Sequence, residues 1–336
     1  MTLEPYLDAI NQEMRQQLAA SSPALEPFYE MMRYHLGLDA AGSGLGKRLR
    51  PLLCLLAYEA LGGEARDVLP AAAALELLHN FTLIHDDIED QDRTRHHRPA
   101  VWAVWGIAHA INAGDGMYAL SRVAVHRLRE GGLGPARIVE ATLALDRACV
   151  RVCEGQFLDI TFETRLDVSE TQYREMIDRK TGALFRAAAE IPGLLAGVDP
   201  DRLRALATFG EHFGAAFQAF DDLKGVWGVS SETGKVEMND IAKRKMSLPV
   251  VLAIGRATPA QRDTLSRAYA LPAPLPGDEV RRVRKVLDAL AVRADVERYV
   301  RAERERAVAA LAPVTLGEPA RGRLLGLLTE ATGPAG

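Results

Sequence analysis

The chain has 336 residues, of which 48% are hydrophobic and 26% charged, a composition typical of a globular protein rather than a disordered or fibrous one. Its 41 basic and 45 acidic residues give a formal net charge of −4, which argues against a broad basic surface for nucleic acid. The three cysteines, Cys54, Cys149 and Cys153, are too few for a disulfide framework. We interpret the last two, four residues apart on a predicted helix, as buried apolar residues.

The amino-terminal segment, residues 1–20, is charged and lacks the apolar core of a secretory signal. No stretch of about 20 residues is free of charge, so the sequence predicts no transmembrane segment. We therefore expect a cytoplasmic protein.

Helical patterns dominate the chain. The sequence predicts helices over residues 65–91, 135–162, 170–196, 201–227 and 279–312, with breaks at Gly62-Gly63, Gly131-Gly132, Gly193, Gly197 and Pro200. Alternating strand patterns are not evident. We predict an all-α fold in which residues 1–336 form one domain, a single large helical bundle. The proline-rich segment 271–278 would separate a peripheral helical tail, about 279–332, from the rest.

The first acidic group follows the apolar helix 65–91. It comprises Asp86, Asp87, Glu89, Asp90 and Asp92. Asp86 and Asp90 are four residues apart, so they share one helix face about 6 Å apart. Their like charges repel, and a helix carboxyl end disfavours anions. A hard divalent cation such as Mg²⁺ would relieve both effects, although a solvated acidic helix end is an equal alternative on this group alone.

A second acidic pair, Asp221-Asp222, also follows an apolar helical run. Two such groups, each at the end of a buried helical segment, predict two helices that face each other with metal held between their carboxylates.

Four basic groups accompany the acidic ones. They are residues 46–50 (GKRLR), 93–98 (RTRHHR), 179–181 (RKT) and 243–245 (KRK). Each alone is more typical of a solvated surface. Alternating with two acidic pairs, they indicate that a diphosphate is bound through metal on one side and through cations on the other.

Seven motifs in order resemble those of the trans-isoprenyl diphosphate synthase family, over roughly residues 40–255. They are GKRLRP (46–51), DDIED (86–90), EGQFLDI (154–160), KTGALF (180–185), FQAFDDL (217–223), TGK (233–235) and RKMSLP (244–249). The resemblance implies the type I isoprenoid synthase fold, an all-α bundle around a deep central cavity, a homodimer and three Mg²⁺ ions per active site.

The resemblance also implies a role for individual residues. Metal ligands would be Asp86, Asp90, Asp221 and Asp222. Contacts to the allylic diphosphate would come from Arg95, Lys180, Thr181, Gln218, Lys235 and Lys245. Contacts to isopentenyl diphosphate would come from Lys47, Arg50, His79 and the position of His96. His79 lies two helical turns before Asp86, so it would face the same cavity.

The implied reaction joins isopentenyl diphosphate head-to-tail to an allylic diphosphate. Asp86, Asp90, Arg95, Lys180 and Asp221 would carry catalysis by stabilising the departing pyrophosphate. An apolar cavity would exclude water from the allylic cation. The double bond of isopentenyl diphosphate would then attack and a proton would be lost, with pyrophosphate as a plausible base.

Three positions depart from the family pattern. Gly225 stands where the second motif usually has its last aspartate, and Lys224 adds a positive charge beside it. His96 replaces an arginine that normally contacts isopentenyl diphosphate, and a neutral imidazole lacks the guanidinium fork. Ala100 replaces a usual threonine.

Two alternatives to elongation remain, and the departures raise the first of them. One is a terpene cyclase on the same scaffold, which ionises a prenyl diphosphate without adding a C5 unit. Gly225 and Val229 do not match the usual cyclase metal pattern, and Lys47, Arg50 and His79 are retained, so elongation is favoured. The other is a non-catalytic subunit of a heteromeric synthase, which the retained DDIED argues against.

Product length is expected to depend on side chains beneath the first motif. Thr82 and Leu78 precede Asp86 by four and eight residues on the same face, and Phe81 precedes it by five. In the family, an aromatic residue there resembles short-chain synthases, although a plain core role for Phe81 is an equal alternative. We predict geranylgeranyl diphosphate as the product, with farnesyl diphosphate next.

Overall fold

The computed structural model describes residues 3–39, 46–163, 165–228 and 238–333. These ranges are helical almost throughout, which confirms the all-α prediction. The strands in these ranges form a hairpin of two short antiparallel strands, β1 (Thr94–Arg95) and β2 (Arg98–Pro99), in which Arg95 pairs with Arg98.

The described residues group into two compact units. The first draws on residues within 1–147, 187–207 and 313–327, and the second on residues within 148–186, 208–312 and 328–336. The single-domain assignment stays a prediction.

The first unit contains six helices and the hairpin. The helices are α1 (Glu4–Gln17), α2 (Glu26–His35), α3 (Leu49–Ala60), α4 (Leu69–Glu89), α5 (Val101–Trp105) and α6 (Ile107–His126). The central helix α4 packs against α1, α3 and α6. Four consecutive alanines, residues 71–74, are completely buried in α4, and small side chains of this kind let neighbouring helices approach closely. The close approach of α6 occurs at Gly114, where an added Cβ would lie 2.3 Å from His85 Nε2.

Four helices have residues in both units. They are α7 (Pro135–Phe162), α9 (Ala183–Ala196), α10 (Pro200–Trp227) and α16 (Ala320–Ala331). The predicted break at Gly193 is wrong, since Gly193 lies inside α9, where an added Cβ would be 2.8 Å from a Leu206 methyl group. Tight packing explains this glycine better than helix termination does.

The second unit contains α8 (Glu170–Ile177), α11 (Asn239–Ala242), α12 (Leu248–Arg256), α13 (Pro259–Ala270), α14 (Gly277–Ala289) and α15 (Val292–Ala310). Capping boxes begin two of them, with Ser169 and Thr258 as the N-caps. The predicted single helix over 279–312 is wrong. It is divided between Ala289 and Val292, where Ala291 adopts a left-handed conformation with φ 52°.

The predicted helix 170–196 is continuous but not uniformly α-helical. Between α8 and α9, Asp178–Gly182 form one π-helical turn. Such turns often occur at functional sites, and this one carries the basic residues Arg179 and Lys180.

One helix of the described chain, Ala65–Glu89, passes a length and hydropathy test for a membrane span, but 61% of its apolar window is buried inside the structure. A buried core helix passes the same test. Of the two cysteines predicted to be buried, Cys149 is buried and Cys153 is exposed. The prediction for Cys153 was wrong because it lies on the solvent-facing stripe of α7, beside the exposed Val150 and Phe157.

Candidate active site

The first acidic group divides its carboxylates between two environments. Asp87 is 1% exposed, whereas the Asp86 side chain is 19% exposed and Asp90 is half-buried. A partly exposed carboxylate can still reach a ligand, while Asp87 faces the protein interior. The carboxyl end of α4, with Asp90 as its C-cap, therefore presents Asp86 and Asp90, the two predicted metal ligands, while Asp87 makes internal contacts.

The internal partner of Asp87 is Arg95. Arg95 Nε donates to both Asp87 oxygens at 2.9 and 3.0 Å, and its Nη2 lies 2.7 Å from Asp87 Oδ1 and 3.8 Å from Asp86 Oδ2. Burial raises the pKa of Asp87, and the guanidinium opposes that effect. Burial lowers the pKa of Arg95, but the nearby carboxylates raise it by more, so the pKa is raised overall. Arg95 is thus fixed beside Asp86 with its charge retained.

Arg95 ends the first strand of a tight hairpin. The two residues between β1 and β2 are His96 and His97, with φ of 48° and 62°, so both occupy the left-handed region of a two-residue hairpin turn. Residues with a Cβ are strained there, although histidine is more tolerant than most. Arg98 secures the returning strand through two hydrogen bonds to Asp39, at 3.0 and 2.6 Å.

A small pocket, with a cavity volume of about 20 Å³, lies against this hairpin. Its lining includes Tyr34, His35, Arg95, His96 and Arg98. The Arg98 guanidinium stacks 3.9 Å above the Tyr34 ring centroid. His96, the residue that departs from the family pattern, therefore faces a polar and aromatic pocket even though it carries no guanidinium.

The early basic motif, residues 46–50, also contains both buried and exposed side chains. Arg48 is 4% exposed, and its Nη1 donates to Glu76 Oε1 at 2.8 Å, so it serves the interior. Lys47 is exposed and Arg50 is buried. Burial lowers the pKa of Arg50 to about 10, and Glu76 partly opposes this. Arg50 is therefore charged at neutral pH.

His79 lies among these cations. Burial lowers the pKa of His79 well below its usual value, and the positive charges of Arg50 and Arg95 lower it further. At neutral pH the imidazole is therefore neutral. A neutral imidazole can donate one hydrogen bond to a phosphate oxygen without adding charge to the group.

A second histidine, His35, was missed from the sequence. Burial, reinforced by Arg95 and His96, holds its pKa well below the usual range, and its Nε2 is buried with no hydrogen-bond partner in the described chain. His35 is not part of any motif, and it ends α2, about 44 residues before His79 in sequence. Only the packing of α2 brings His35 close to Arg95 and His96.

The predicted chain-length residues lie on α4. Leu78 is completely buried and Phe81 is 9% exposed. The Phe81 ring centroid lies 5.3 Å from that of Tyr118, on α6, and 5.7 Å from that of His85. The Thr82 hydroxyl donates to the His79 carbonyl at 2.7 Å, which occupies its polar group. Phe81 and Tyr118 therefore form an aromatic pair. The sequence indicated Phe81 as a chain-length residue, but not Tyr118.

The second unit carries the other predicted residues. Lys180 lies in the π turn, and its Nζ donates to Asp159 Oδ2 at 2.5 Å. This approach requires Gly155, because an added Cβ there would lie 2.2 Å from the Lys180 backbone nitrogen. The motifs EGQFLDI and KTGALF therefore meet in space as one structural element.

A chain of hydrogen bonds links Thr181 to the second acidic pair. The Thr181 hydroxyl donates to Gln218 Oε1 at 2.7 Å, and Gln218 Nε2 donates to Asp222 Oδ1 at 2.9 Å. The other Asp222 oxygen accepts from the Tyr173 hydroxyl at 2.5 Å and from the Leu248 amide at 2.7 Å. Asp222 is 5% exposed, so its oxygens are engaged by the protein itself.

Burial, reinforced by the nearby Asp240 carboxylate, raises the pKa of Asp222 to about 7. Asp221 differs from it, since the Asp221 side chain is 38% exposed and its Oδ1 lies 3.6 Å from Lys224 Nζ. Of the pair, Asp221 is therefore the carboxylate better placed to meet a ligand.

Two further predicted contacts remain. Lys235 lies outside the described residues. Burial and Asp159 raise the pKa of Glu163, and the positive charges of Lys245 and Lys180 lower it. Lys180 and Lys245, two of the predicted diphosphate contacts in this unit, therefore both lie near Glu163.

The donor set can be tested for a metal. Within the described ranges, no three histidine, cysteine, aspartate or glutamate side chains are gathered as a ready metal site. Mg²⁺ does not require one, since it keeps several waters and commonly takes one or two carboxylates plus substrate phosphates. The accessible Asp86, Asp90 and Asp221 offer hard oxygen ligands of this kind, so the residues present fit Mg²⁺.

Comparison with known proteins gives a consistent result. The polyprenyl synthetase family model matches residues 29–289. A geranylgeranyl diphosphate synthase of Methanosarcina mazei is 42% identical over 228 residues, which cover 68% of each chain. A (2E,6E)-farnesyl diphosphate synthase of Mycobacterium bovis is 39% identical over 262 residues, covering 76% of this chain and 70% of that one.

A solved structure extends the similarity to nearly the whole chain. The geranylgeranyl pyrophosphate synthase of Corynebacterium glutamicum, complexed with isoprenyl diphosphate and magnesium, superposes with a TM-score of 0.87 at 25% identity, covering 99% of both chains.

Proposed function

Because the chain belongs to the polyprenyl synthetase family, we propose that it condenses isopentenyl diphosphate with an allylic diphosphate to make a short-chain all-trans prenyl diphosphate. We propose geranylgeranyl diphosphate as the product, with farnesyl diphosphate next. The observation that carries the proposal is the 42% identity to a geranylgeranyl diphosphate synthase. The matched family region, residues 29–289, also includes both acidic groups and all seven motifs in full.

The residues of the first unit have distinct proposed roles. Asp86 and Asp90 would hold Mg²⁺, and Arg95, fixed by Asp87, would contact the allylic diphosphate. Lys47, Arg50 and neutral His79 would bind isopentenyl diphosphate, with His96 at the edge. Arg50 and Arg95 neutralise phosphate charge, and His79 adds a directed hydrogen bond.

The residues of the second unit complete the proposed machinery. Asp221 would hold Mg²⁺, while Lys180, Thr181, Gln218 and Lys245 would contact the allylic diphosphate. Asp222 would act mainly by orienting Gln218, with which it shares a hydrogen bond. Lys235 keeps its proposed contact from the motif alone.

Bound Mg²⁺ would offset the negative charge that develops on pyrophosphate as the allylic C–O bond breaks. Arg95 and Lys180 would add fixed positive charge at the same leaving group, and this pre-arranged electrostatic stabilisation requires no rearrangement during the reaction. The requirement for three ions per active site is proposed from the family resemblance.

A homodimer is proposed on the same basis. An exposed apolar stripe on α7 supports it. The stripe follows the three-and-four spacing of a helix face, with Val139, Leu143, Val150, Phe157 and Ile160 between 39% and 68% exposed. We propose that a second copy of the chain covers this stripe and that the protein is cytoplasmic.

The test supplies labelled isopentenyl diphosphate and Mg²⁺ with dimethylallyl, geranyl or farnesyl diphosphate. We expect C20 diphosphate as the main product and no product when EDTA replaces Mg²⁺. A parallel reaction contains geranylgeranyl diphosphate alone.

The outcome separates the candidate functions. A hydrocarbon or alcohol formed without isopentenyl diphosphate would identify a cyclase, the function favoured by the loss of arginine at His96. Absence of turnover in both reactions, with activity restored by a partner chain, would identify a regulatory subunit.

A further inference from the structure

His35 carries a buried ring nitrogen that has no hydrogen-bond partner among the described residues. This atom is Nε2. His35 lines the small pocket of about 20 Å³, together with Arg95 and His96. A cavity of this volume admits one water molecule or one oxygen atom of a larger ligand. Because a buried polar atom without a partner is unfavourable, a ligand atom that pairs with Nε2 would stabilise the complex.

His35 is close to two residues that we assign to isopentenyl diphosphate. Burial is the largest cause of the low pKa of His79, and the charge of His35 contributes to it. Burial likewise lowers the pKa of His35, and the charges of Arg95 and His96 lower it further. His35 therefore interacts electrostatically with both His79 and His96, and a diphosphate bound by those two residues lies near His35.

The tautomer of His35 is set by Asn80, a buried residue of α4. The Asn80 amide nitrogen donates to the Glu76 carbonyl at 2.8 Å and to Glu76 Oε1 at 3.0 Å, which leaves its Oδ1 atom as an acceptor. A side-chain hydrogen bond between His35 and Asn80 raises the pKa of His35 and so partly opposes the effect of burial. Because Nε2 has no partner, this bond involves Nδ1, and neutral His35 carries its lone pair on Nε2.

Positive charge dominates the surroundings of His35. The titratable and charged groups around it are Tyr34 on α2, Arg48 at the start of α3, Glu76 and His79 on α4, and Arg95, His96 and Arg98 of the hairpin. The carboxylates of Glu76, Asp87 and Asp39 are bound by Arg48, Arg95 and Arg98, respectively. These cations keep His35 neutral in the free protein.

A bound diphosphate reverses this balance. It offsets the positive charges that lower the pKa of His35, and it places negative charge beside the ring. A lone pair on Nε2 repels a phosphate oxygen, since both are acceptors, whereas a protonated imidazole donates from both nitrogens. Protonated His35 can therefore keep its bond to Asn80 through Nδ1 and donate to the phosphate through Nε2.

We propose that His35 is a further contact for the diphosphate of isopentenyl diphosphate and that it takes up a proton from solvent as this substrate binds. No covalent bond of the substrate changes in this step. The protonated imidazole supplies, from α2, a charged donor beside the position where His96 lacks a guanidinium. This inference rests on the proposed function, since it concerns the same substrate.

The test is titration calorimetry with isopentenyl diphosphate alone, which has no allylic partner with which to react. Heats measured at about pH 7 in two buffers of different ionisation enthalpy give the number of protons taken up on binding. We expect wild type to take up about half to one proton more than His35→Gln, because glutamine donates a hydrogen bond without titrating. The exposed His126→Gln is the control and should match wild type.

The affinity provides a second measurement. His35→Phe removes the donor and should weaken binding about tenfold at about pH 7, whereas His35→Gln should weaken it only about threefold. The effect of His35→Phe should diminish at about pH 9, where protonation of wild-type His35 is less favourable. A residue that only packs against its neighbours would not give this pH dependence.

Equal proton uptake by wild type and His35→Gln, or equal affinity of wild type and His35→Phe, would overturn the proposal. Thermal melting curves show whether each variant is folded, and if one is not, the measurement on the other decides the question. Failure of wild type to bind isopentenyl diphosphate would instead count against the proposed function itself.

Discussion

Asp87 and Arg95 form a closely matched ion pair, with Arg95 Nε 2.9 and 3.0 Å from the two Asp87 oxygens. Asp87 belongs to the first acidic motif but is nearly inaccessible, so it acts on substrate only through Arg95. We expect Asp87→Asn to destabilise the protein by about 2 kcal/mol, because it leaves a largely buried guanidinium without its charge partner. Urea unfolding measures this loss.

The same variant should raise KM for the allylic diphosphate more than it lowers kcat, since Arg95 would lose its fixed position. Glu89→Asn is the control, because Glu89 lies in the same motif but is exposed. An Asp87→Asn enzyme with wild-type stability and KM would contradict the positioning role.

The partly exposed carboxylates Asp86 and Asp221 are expected to be essential. Asp86→Ala and Asp221→Ala should each lower kcat by about 1,000-fold, by removing oxygen ligands for Mg²⁺. Product formation is measured across a range of Mg²⁺ concentrations. Activity that survives either change with the normal Mg²⁺ dependence would remove that residue from the metal site, and Glu89→Ala should be close to wild type.

His96 and His97 occupy adjacent left-handed positions and are expected to respond differently to substitution. His96→Arg should lower KM for isopentenyl diphosphate, because it restores a guanidinium at the edge of the basic pocket. His97→Gly should leave KM unchanged and stabilise the protein by about 1 kcal/mol, since glycine relieves the strain of φ 62°. An unchanged KM in His96→Arg would favour a different substrate geometry or a cyclase.

Phe81 is expected to limit product length. Phe81→Ala should shift the product toward longer prenyl diphosphates, analysed by chromatography and mass spectrometry, and destabilise the protein by about 3 kcal/mol. Ile84→Ala is the matched control, because Ile84 is 1% exposed on the same helix. It should reduce stability without changing the product. The same product from Phe81→Ala and wild type would make Phe81 an ordinary core residue.

Because of His35 and His79, we expect the free energy of unfolding to fall in acid. Both have pKa values held well below 6.5 by burial and neighbouring cations. Above pH 6.5 neither state is protonated and the difference vanishes. Below pH 6.5 these histidines are protonated in the unfolded chain but stay neutral in the native protein. The free energy of unfolding therefore falls by about 1 kcal/mol per histidine between pH 7.5 and 5.5.

Urea unfolding at the two pH values checks this expectation. His35→Gln should reduce the pH dependence by about half, whereas the exposed His126→Gln should not change it. An equal pH dependence in His35→Gln and wild type would show that the pKa of His35 is the same in the native and unfolded states.

Local patterns predicted most of the helices. The helix at 135–162 has the predicted bounds because periodicity and flanking glycines are local signals. The break at Ala291 was missed because alanine normally favours helices, so nothing in the sequence indicates its left-handed backbone conformation. Cys153 was misassigned because composition does not specify which face of a long helix is covered.

The sequence by itself determined the all-α class, the family and the identity of the acidic and basic groups, since these depend on residue type and spacing along single helices. The tertiary structure decided how the charges are used. It paired Asp87 with Arg95, brought His35 to the basic group and placed the Asp240 carboxylate against Gly225. These relationships join residues on separate elements, and only packing fixes the distance, burial and charge that one gives another.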